Sequence, residues 1–116
     1  GSLPLSPEDL TQLTGNLLDN ALDAVKMNGS PRIDLVLMCN RLGLELKVSN
    51  NGSPIPQNVR QNIFTAGYTT KSIKQHSGLG LYIIKQIIDR YDGQLQLREP
   101  EDYTGVEFMI YIPWKR

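Results

Sequence analysis

One stretch, Asn16-Leu17-Leu18-Asp19-Asn20-Ala21-Leu22-Asp23, sets an apolar surface beside three polar side chains on a single predicted helix. At about 100° per residue, Asn16, Asn20 and Asp23 fall within about 60° of one another, at the edge of the apolar stripe. Their amide and carboxylate oxygens are the kind of ligand that a hard cation such as Mg²⁺ prefers. An ordinary solvated helix face would show the same pattern, so this stretch needs support from elsewhere in the chain.

The residues before this stretch form a strong helix start. Ser6 suits the N-cap, Pro7 suits the first helical position, and Glu8 and Asp9 place negative charge in the first turn. The apolar stripe comprises Leu10, Leu13, Leu17, Leu18, Ala21, Leu22, Ala24 and Val25. The sequence predicts that this helix ends near residues 28–29.

The remaining pattern predicts hairpins and a second long helix. In chain order the predicted elements are strands 32–40 and 42–49, a loop 50–56, a short helix 57–64, a polar loop 66–77, a helix 78–92, and strands 94–98 and 106–112. Strands that pair with their neighbours, with helices on one face, favour a two-layer α/β sandwich with a mixed, mostly antiparallel sheet. The fold class is therefore α/β, and a doubly wound sheet is not expected.

The alternation of residues gives burial predictions for the first hairpin. One face of the second strand should be buried and the other exposed to solvent: the buried face would carry Leu42, Leu44, Leu46 and Val48, and the solvent face Gly43, Glu45, Lys47 and Ser49. Cys39 lies in an apolar run of the first strand and should be a small buried side chain.

Composition limits the classes of function. Twelve Lys and Arg balance twelve Asp and Glu among 116 residues, and this zero net charge disfavours nucleic-acid binding. A single cysteine excludes a disulfide framework, and no stretch is long and apolar enough for a membrane span or a signal peptide. We therefore expect a soluble protein from a reducing compartment, in which residues 1–2 would be an expression scar and residues 3–116 a single domain.

Three further segments carry polar or glycine-rich chemistry. Asn50 lies at the end of a predicted strand, where its amide suits the edge of a nucleobase. A turn without any binding role would show the same sequence. Lys71 lies in a polar loop and suits a phosphate, although loop lysines are common. Gly78 and Gly80 enter a helix, where free backbone N–H groups at the positive end of the helix dipole favour an anion.

In this order and spacing, the four segments resemble the N, G1, F and G2 boxes of the GHKL superfamily, which includes histidine kinases, gyrase-type topoisomerases, Hsp90-type chaperones and MutL-type repair proteins. Gly67-Tyr68-Thr69-Thr70-Lys71, followed by Gly78-Leu79-Gly80-Leu81-Tyr82-Ile83-Ile84-Lys85, is especially similar to bacterial sensor histidine kinases. The resemblance is closest to citrate and dicarboxylate sensors and to peptide-sensing quorum kinases. It implies the Bergerat fold, with ATP and Mg²⁺ as ligands.

The resemblance also implies a role for each matching position. Asn20 matches the Mg²⁺-coordinating asparagine, and Asn50 stands where the family usually has an aspartate that accepts from the adenine amino group. Residues 65–77 would form the ATP lid. The predicted catalytic residues are Asn16 and Asn20, the predicted metal ligand is Asn20, and the predicted nucleotide-binding residues are Asn20, Asp23, Asn50, Gly52, Ile55, Phe64, Thr70, Lys71, His76, Ser77, Gly78, Leu79, Gly80 and Leu81.

Asn16 separates the kinase branch from the hydrolytic branches. The hydrolytic members resemble this chain but carry a glutamate at that position as a general base, and an amide cannot take up a proton near neutral pH. The expected reaction is therefore transfer of the ATP γ-phosphate to a histidine on a separate dimerisation domain, with a response regulator downstream. His76 is not expected to be that histidine, which should lie upstream of this fragment. The resemblance further implies a cytoplasmic, monomeric fragment without direct membrane contact, because dimerisation normally belongs to the absent domain.

The match departs from the family pattern at Asn50, at Pro54 in place of a G1 glycine, and at His76 in place of a G2 glycine. These departures leave an alternative open, namely a degenerate module that senses nucleotide or docks to a partner without kinase activity.

Overall fold

The structure is a computed structural model that describes residues 3–55 and 79–114. It contains two helices and four strands: α1 (Pro7–Val25), β1 (Ile33–Cys39), β2 (Gly43–Asn50), α2 (Leu79–Arg90), β3 (Gln94–Arg98) and β4 (Val106–Pro113). The helix predicted at residues 57–64 and the polar loop at 66–77 lie outside the described residues.

Helix α1 begins as its sequence predicts. The Ser6 hydroxyl accepts a hydrogen bond from the backbone N–H of Asp9 at 3.1 Å, which satisfies one of the free donors of the first turn. The helix ends at Val25, earlier than predicted, and the Asn28 N–H then bonds to the Val25 carbonyl at 2.9 Å in a turn that follows it.

The four strands form one sheet in the order β1-β2-β4-β3, and each neighbouring pair is antiparallel. On the face that the helices cover, cross-strand pairs of almost completely buried residues join β2 to β4: Leu44 with Ile112, Leu46 with Ile110, and Val48 with Phe108. Leu13 and Leu17 of α1 and Ile84, Ile87 and Ile88 of α2 complete this core. The predicted two-layer α/β sandwich is confirmed.

Three burial predictions for side chains of the first hairpin are wrong. Cys39 is exposed because β1 is an edge strand and its residues 35–39 extend beyond the cover of the helices. Leu42 is 70% exposed because it lies in the turn before β2 begins. Ser49, on the predicted wet face, is buried because its hydroxyl donates a 3.0 Å hydrogen bond to Glu107 of β4.

The two helices run antiparallel, because the start of α1 meets the end of α2. Arg90 donates two hydrogen bonds of 2.9 Å to the Asp9 carboxylate, and the Tyr91 hydroxyl also donates to Asp9. The hydrogen bond from Tyr91, followed by those from Arg90, holds the pKa of Asp9 below its usual value. None of the helices in the described part of the chain is long and apolar enough to cross a bilayer.

Candidate functional site

The polar edge of α1 forms the floor of the candidate site. Asn16 and Asn20 are half-buried and Asp23 is 8% exposed. The Asn16 side-chain amide donates to the Gln12 carbonyl at 2.9 Å, which fixes the orientation of the group. Asp23 forms an ion pair with Lys26 at 3.0 Å, and this pairing compensates the charge of a mostly buried carboxylate.

Helix α2 begins directly against this edge. A Cβ atom built on Gly80 would lie 3.3 Å from the Asn16 Oδ1 atom, so the absence of a side chain lets the two helices approach here. Because the helices are antiparallel, the amino-terminal end of α2 opens toward the part of α1 that carries Asn20. The first backbone N–H groups of a helix have no partner within the helix and carry the positive end of its dipole, which favours an anion.

The end of β2 meets the same helix one turn beyond Asn20. Asn50 is 2% exposed, and its Oδ1 atom accepts a hydrogen bond from the Gly52 backbone N–H at 2.8 Å. A Cβ atom on Gly52 would lie 2.6 Å from the Ala24 carbonyl oxygen, so the loop after β2 packs tightly onto α1. Gly105 packs as closely on the other side, where a Cβ atom would lie 1.9 Å from the Asn50 carbonyl oxygen.

Asn20 lies on α1 between two residues that contact glycines, namely Asn16 and Ala24. Asn16, Asn20 and Ala24 follow one another at intervals of four residues, so they lie along one row of α1. Asn16 contacts Gly80 at one end of the row, and Ala24 contacts Gly52 at the other. Helix α2 and the loop after β2 therefore contact this row of α1 on either side of Asn20.

Asn51 ties the loop after β2 to the connection between α1 and β1, and it is absent from the predicted site. Its Oδ1 atom accepts from the Arg32 N–H at 2.9 Å, and its Nδ2 atom donates to the Ser30 carbonyl at 2.9 Å. Asn28 adds a 3.0 Å bond to the Asn51 carbonyl. The turn-forming residues at positions 50–53 predict a loop. They do not predict that one side chain would tie this loop to the connection between α1 and β1.

A charged cluster of Arg32, Asp34 and Tyr103 lies at the start of β1, on the outer face of the sheet. The Tyr103 hydroxyl donates to the Asp34 carboxylate at 2.7 Å, Arg32 donates to that carboxylate at 2.9 Å, and the Arg32 guanidinium lies 4.4 Å from the centre of the Tyr103 ring. The hydrogen bond from Tyr103 holds the pKa of Asp34 below its usual value. Burial, together with the Asp34 carboxylate, raises the pKa of Tyr103 to about 12.

The residues fit a magnesium–nucleotide better than a metal held by protein alone. Within residues 3–55 and 79–114, no group of three or more His, Cys, Asp or Glu side chains is placed to hold a metal ion. Mg²⁺ commonly takes one or two protein oxygens and completes its shell with phosphates and water. Asn20, one helical turn from the contact of Asn16 with Gly80, has an amide oxygen of the kind that such a metal takes.

An open groove of about 680 Å³ lies on the other flank of α1. Leu22, Lys26, Pro31 and Ile33 are among its lining residues, and Asp23 is the one member of the predicted site that it includes. This groove faces the β1 edge of the sheet, whereas Asn16 faces Gly80 on α2. The groove therefore lies apart from the row of Asn16, Asn20 and Ala24.

The structure brings part of the predicted set together. Asn16 lies against Gly80, and Asn50 and Gly52 meet the end of α1. Ile55 packs against the core, and the Leu81 side chain, 7% exposed, belongs to the core, so Leu81 offers a ligand only its backbone. Leu79 is described as the first residue of α2. Phe64, Thr70, Lys71, His76, Ser77 and Gly78 lie outside the described residues.

Comparison with known proteins finds related sequences and solved structures over almost the whole chain. The chain is 33% identical over 114 residues to a probable C4-dicarboxylate sensor kinase of Halalkalibacterium halodurans, which covers 97% of this chain and 21% of that protein. It is 32% identical over 112 residues to the sensor histidine kinase DpiB of Escherichia coli K12, which covers 94% of this chain and 20% of that protein. The solved structure of the mycobacterial sensor histidine kinase MprB superposes with a TM-score of 0.81 at 26% identity, covering 96% of this chain and 76% of that chain.

The chain thus spans about a fifth of the length of these two curated relatives. A sequence profile for the histidine kinase-, DNA gyrase B-, and HSP90-like ATPases matches residues 6–116, and the chain therefore belongs to that family.

Proposed function

We propose that this chain binds Mg·ATP and donates the γ-phosphate to a histidine on a separate dimerisation domain of its parent kinase, in two-component signalling. The observation that carries the proposal is the row of Asn16, Asn20 and Ala24, which contacts Gly80 at one end and Gly52 at the other. In this proposal Asn20 supplies an oxygen ligand and the start of α2 supplies the positive end of a helix, and both suit a metal-bound polyphosphate.

Each described residue has a definite task in this proposal. Asn20 would hold Mg²⁺, which neutralises charge on the phosphates. The backbone at Gly80 would approach the phosphate oxygens, and Asn50 would meet the base. The imidazole nitrogen of the acceptor attacks the γ-phosphorus, the bond to the bridging oxygen breaks, and ADP leaves. Catalysis of this kind rests on positioning and on charge neutralisation.

Asn16 favours transfer to histidine over hydrolysis. Its amide already donates to the Gln12 carbonyl, and its oxygen lies beside Gly80. A neutral amide in that position cannot remove a proton from water. We therefore expect the chain to turn over ATP far more slowly than an ordinary ATPase, and a rapid steady-state release of phosphate would contradict the proposal.

Calorimetric titration with Mg·ATP tests the proposed binding. We expect the chain to bind at micromolar to low-millimolar strength, and Asn20→Ala to weaken binding by roughly tenfold or more through loss of a metal ligand. Gln12→Ala is the matched control, because it removes an exposed amide side chain from the same helix and leaves the backbone carbonyl that Asn16 uses. An absence of binding at several millimolar nucleotide would overturn the proposal.

Transfer itself is tested by adding the histidine-bearing domain of the parent protein to this chain with labelled ATP. Label on the added domain is the expected result. Tight nucleotide binding without any transfer would favour the alternative, a module that senses nucleotide without kinase activity. The neutral Asn50 in place of an acid is the observation that keeps this alternative in view.

A further inference from the structure

Two identical tripeptides lie beside each other in the fold: Asn28-Gly29-Ser30 follows α1, and Asn51-Gly52-Ser53 follows β2. A 3.0 Å hydrogen bond from the Asn28 amide to the Asn51 carbonyl joins them. An asparagine followed by glycine readily loses its side-chain amide nitrogen without an enzyme, because glycine has no side chain to shield its backbone nitrogen from the asparagine. Since the tripeptides are the same, their surroundings decide which asparagine reacts.

The reaction closes a ring between the asparagine side chain and the next peptide group. At Asn28, the Gly29 nitrogen would give its proton to hydroxide and attack Cγ. The bond from that nitrogen to Cγ forms, the bond from Cγ to Nδ2 breaks, and Nδ2 takes a proton from water and leaves as ammonia. Water then opens the succinimide ring. Opening between Cγ and the nitrogen gives aspartate, and opening at the main-chain carbonyl carbon gives isoaspartate, so water is the only reactant consumed.

The surroundings of Asn28 leave it open to this reaction. Asn28 and Gly29 are both exposed, and no atom lies within 4 Å of the position that a Gly29 Cβ atom would take. The Asn28 Oδ1 atom accepts from the Ser30 N–H at 2.9 Å, which folds the side chain back over the peptide group that contains the Gly29 nitrogen. The same N–H faces the oxygen that gains negative charge when Cγ is attacked, and it therefore favours ring closure.

The surroundings of Asn51 oppose the reaction. Gly52 is buried, and its N–H donates to the Asn50 Oδ1 atom at 2.8 Å. The two polar atoms of the Asn51 amide are bonded to the backbone of Arg32 and Ser30, at 2.9 Å each. Attack by the Gly52 nitrogen would have to break these bonds first, so the fold protects Asn51.

We propose that Asn28 is a site of spontaneous deamidation in the folded chain, and that its product detaches the connection between α1 and β1 from Asn51. The Asn28 amide now donates to the Asn51 carbonyl. After deamidation a carboxylate oxygen takes the place of that donor, and two acceptors cannot bond to each other. The modification therefore replaces a hydrogen bond with a repulsive contact.

Peptide mapping by mass spectrometry tests the site. The folded chain is kept at mildly alkaline pH, and the peptides that carry Asn28 and Asn51 are followed for a mass gain of about 1 Da and for methylation by a protein-isoaspartate methyltransferase. Asn28 should react roughly tenfold faster than Asn51 or more, because attack at Asn51 must first break the buried bond between Gly52 and Asn50. Equal rates at the two residues in the folded chain would overturn the proposal.

Two controls identify the cause of the difference. Gly29 does not have a positive φ and has free space at its Cβ position, so Gly29→Ala keeps the fold while its methyl group hinders the attack. It should suppress the reaction at Asn28 and leave that at Asn51 unchanged. In concentrated urea, where the fold is lost, the two asparagines should react at similar rates. A preference for Asn28 that persisted in urea would overturn the claim that the fold selects it.

Asn28→Asp tests the effect of the product. The Asn51 N–H donates to the Arg32 carbonyl at 3.1 Å, and the Arg32 N–H donates to Asn51 Oδ1. Amide hydrogen exchange at these two N–H groups should accelerate roughly three- to tenfold in the variant. Asn40→Asp, the same change of charge at an exposed residue of the turn between β1 and β2, should leave both rates unchanged. Exchange in Asn28→Asp as slow as in the parent would overturn the proposed detachment.

Discussion

A Cβ atom placed on Gly80 would lie 3.3 Å from the Oδ1 atom of Asn16, which makes this the point where α2 approaches the polar edge of α1. That separation is slightly tight for a carbon and an oxygen, so an added methyl group would displace the Asn16 side chain by a few tenths of an ångström. Because Asn16 also donates to the Gln12 carbonyl, its side chain has little freedom to move aside.

Gly80→Ala should keep the fold and weaken nucleotide binding. Alanine favours a helix over glycine by about 1 kcal/mol, which offsets the tight contact, while the methyl group narrows the space beside the start of α2. We expect an unfolding free energy within about 1 kcal/mol of the parent and a Kd for Mg·ATP raised roughly three- to tenfold.

Gly15→Ala is the natural control for that prediction. Gly15 is exposed within α1, and no atom lies within 4 Å of the Cβ that alanine would add. The substitution should raise the unfolding free energy by about 0.5–1 kcal/mol without changing nucleotide affinity. Equal effects of the two substitutions on nucleotide affinity would show that the Gly80 contact has no special role.

Gly105→Ala should be severely destabilising. Its Cβ would lie 1.9 Å from the Asn50 carbonyl oxygen and 2.9 Å from the carbonyl carbon, and backbone atoms cannot move aside as a flexible side chain can. Separation of the start of β4 from the end of β2 should cost about 3 kcal/mol or more. Chemical denaturation measures the loss, and Gly29→Ala, whose Cβ meets nothing within 4 Å, should stay within about 0.5 kcal/mol of the parent.

The order of elements and the helix-covered core could be predicted from sequence because both follow from local periodicity. Leu13 and Leu17 repeat with the period of a helix, and Leu44, Leu46 and Val48 repeat with the period of a strand, so each stripe identifies its own buried face. Ser6 and Pro7 likewise define a helix start that requires no tertiary contact.

The failures arise where burial depends on distant parts of the chain. Cys39 and Leu42 are apolar, but β1 is an edge strand and residue 42 lies in a turn, and neither fact can be read from neighbouring residues. Ser49 and Glu107 are polar and buried because they bond to each other across 58 positions of sequence. In the candidate site, motifs predict roles for Asn16 and Asn50, whereas Asn51 acts through contacts with residues 28–32 that no motif describes.

The pair formed by Glu107 and Arg98 should be worth far more than a surface ion pair. Glu107 is 5% exposed and receives hydrogen bonds from Arg98 and Ser49, so Arg98→Met would leave a buried carboxylate without its cation. Because the Arg98 side chain is itself 47% exposed, we expect a loss of about 2 kcal/mol, below the usual range for a fully buried pair.

Two further variants isolate the cause of that loss. Lys85→Met breaks an exposed ion pair with Asp89 one helical turn away and should cost about 0.5 kcal/mol or less. Adding Glu107→Gln to Arg98→Met removes the stranded charge and should recover part of the stability. A double variant as unstable as the sum of its single variants would indicate lost packing of the arginine stem as the cause.

Tyr103→Phe should lower stability by about 1 kcal/mol near neutral pH, because it removes the hydroxyl that donates to Asp34 and retains the ring beneath Arg32.

The difference in unfolding free energy between the parent and Tyr103→Phe should depend on pH at both extremes. The pKa of Asp34 is lower in the folded protein than its usual 3.8, so the stability that this carboxylate provides is complete above that value and is lost as the pH falls through the folded pKa. The pKa of Tyr103 is raised from 10.0 to about 12, so the contribution of its neutral hydroxyl is complete below pH 10 and is lost as the pH rises toward 12. Urea denaturation of both proteins should therefore give a constant difference between about pH 5 and pH 9 that shrinks on either side. A difference that stayed constant down to pH 2.5 would show that the hydroxyl contributes through packing alone, since loss of the Asp34 charge would then leave it unchanged.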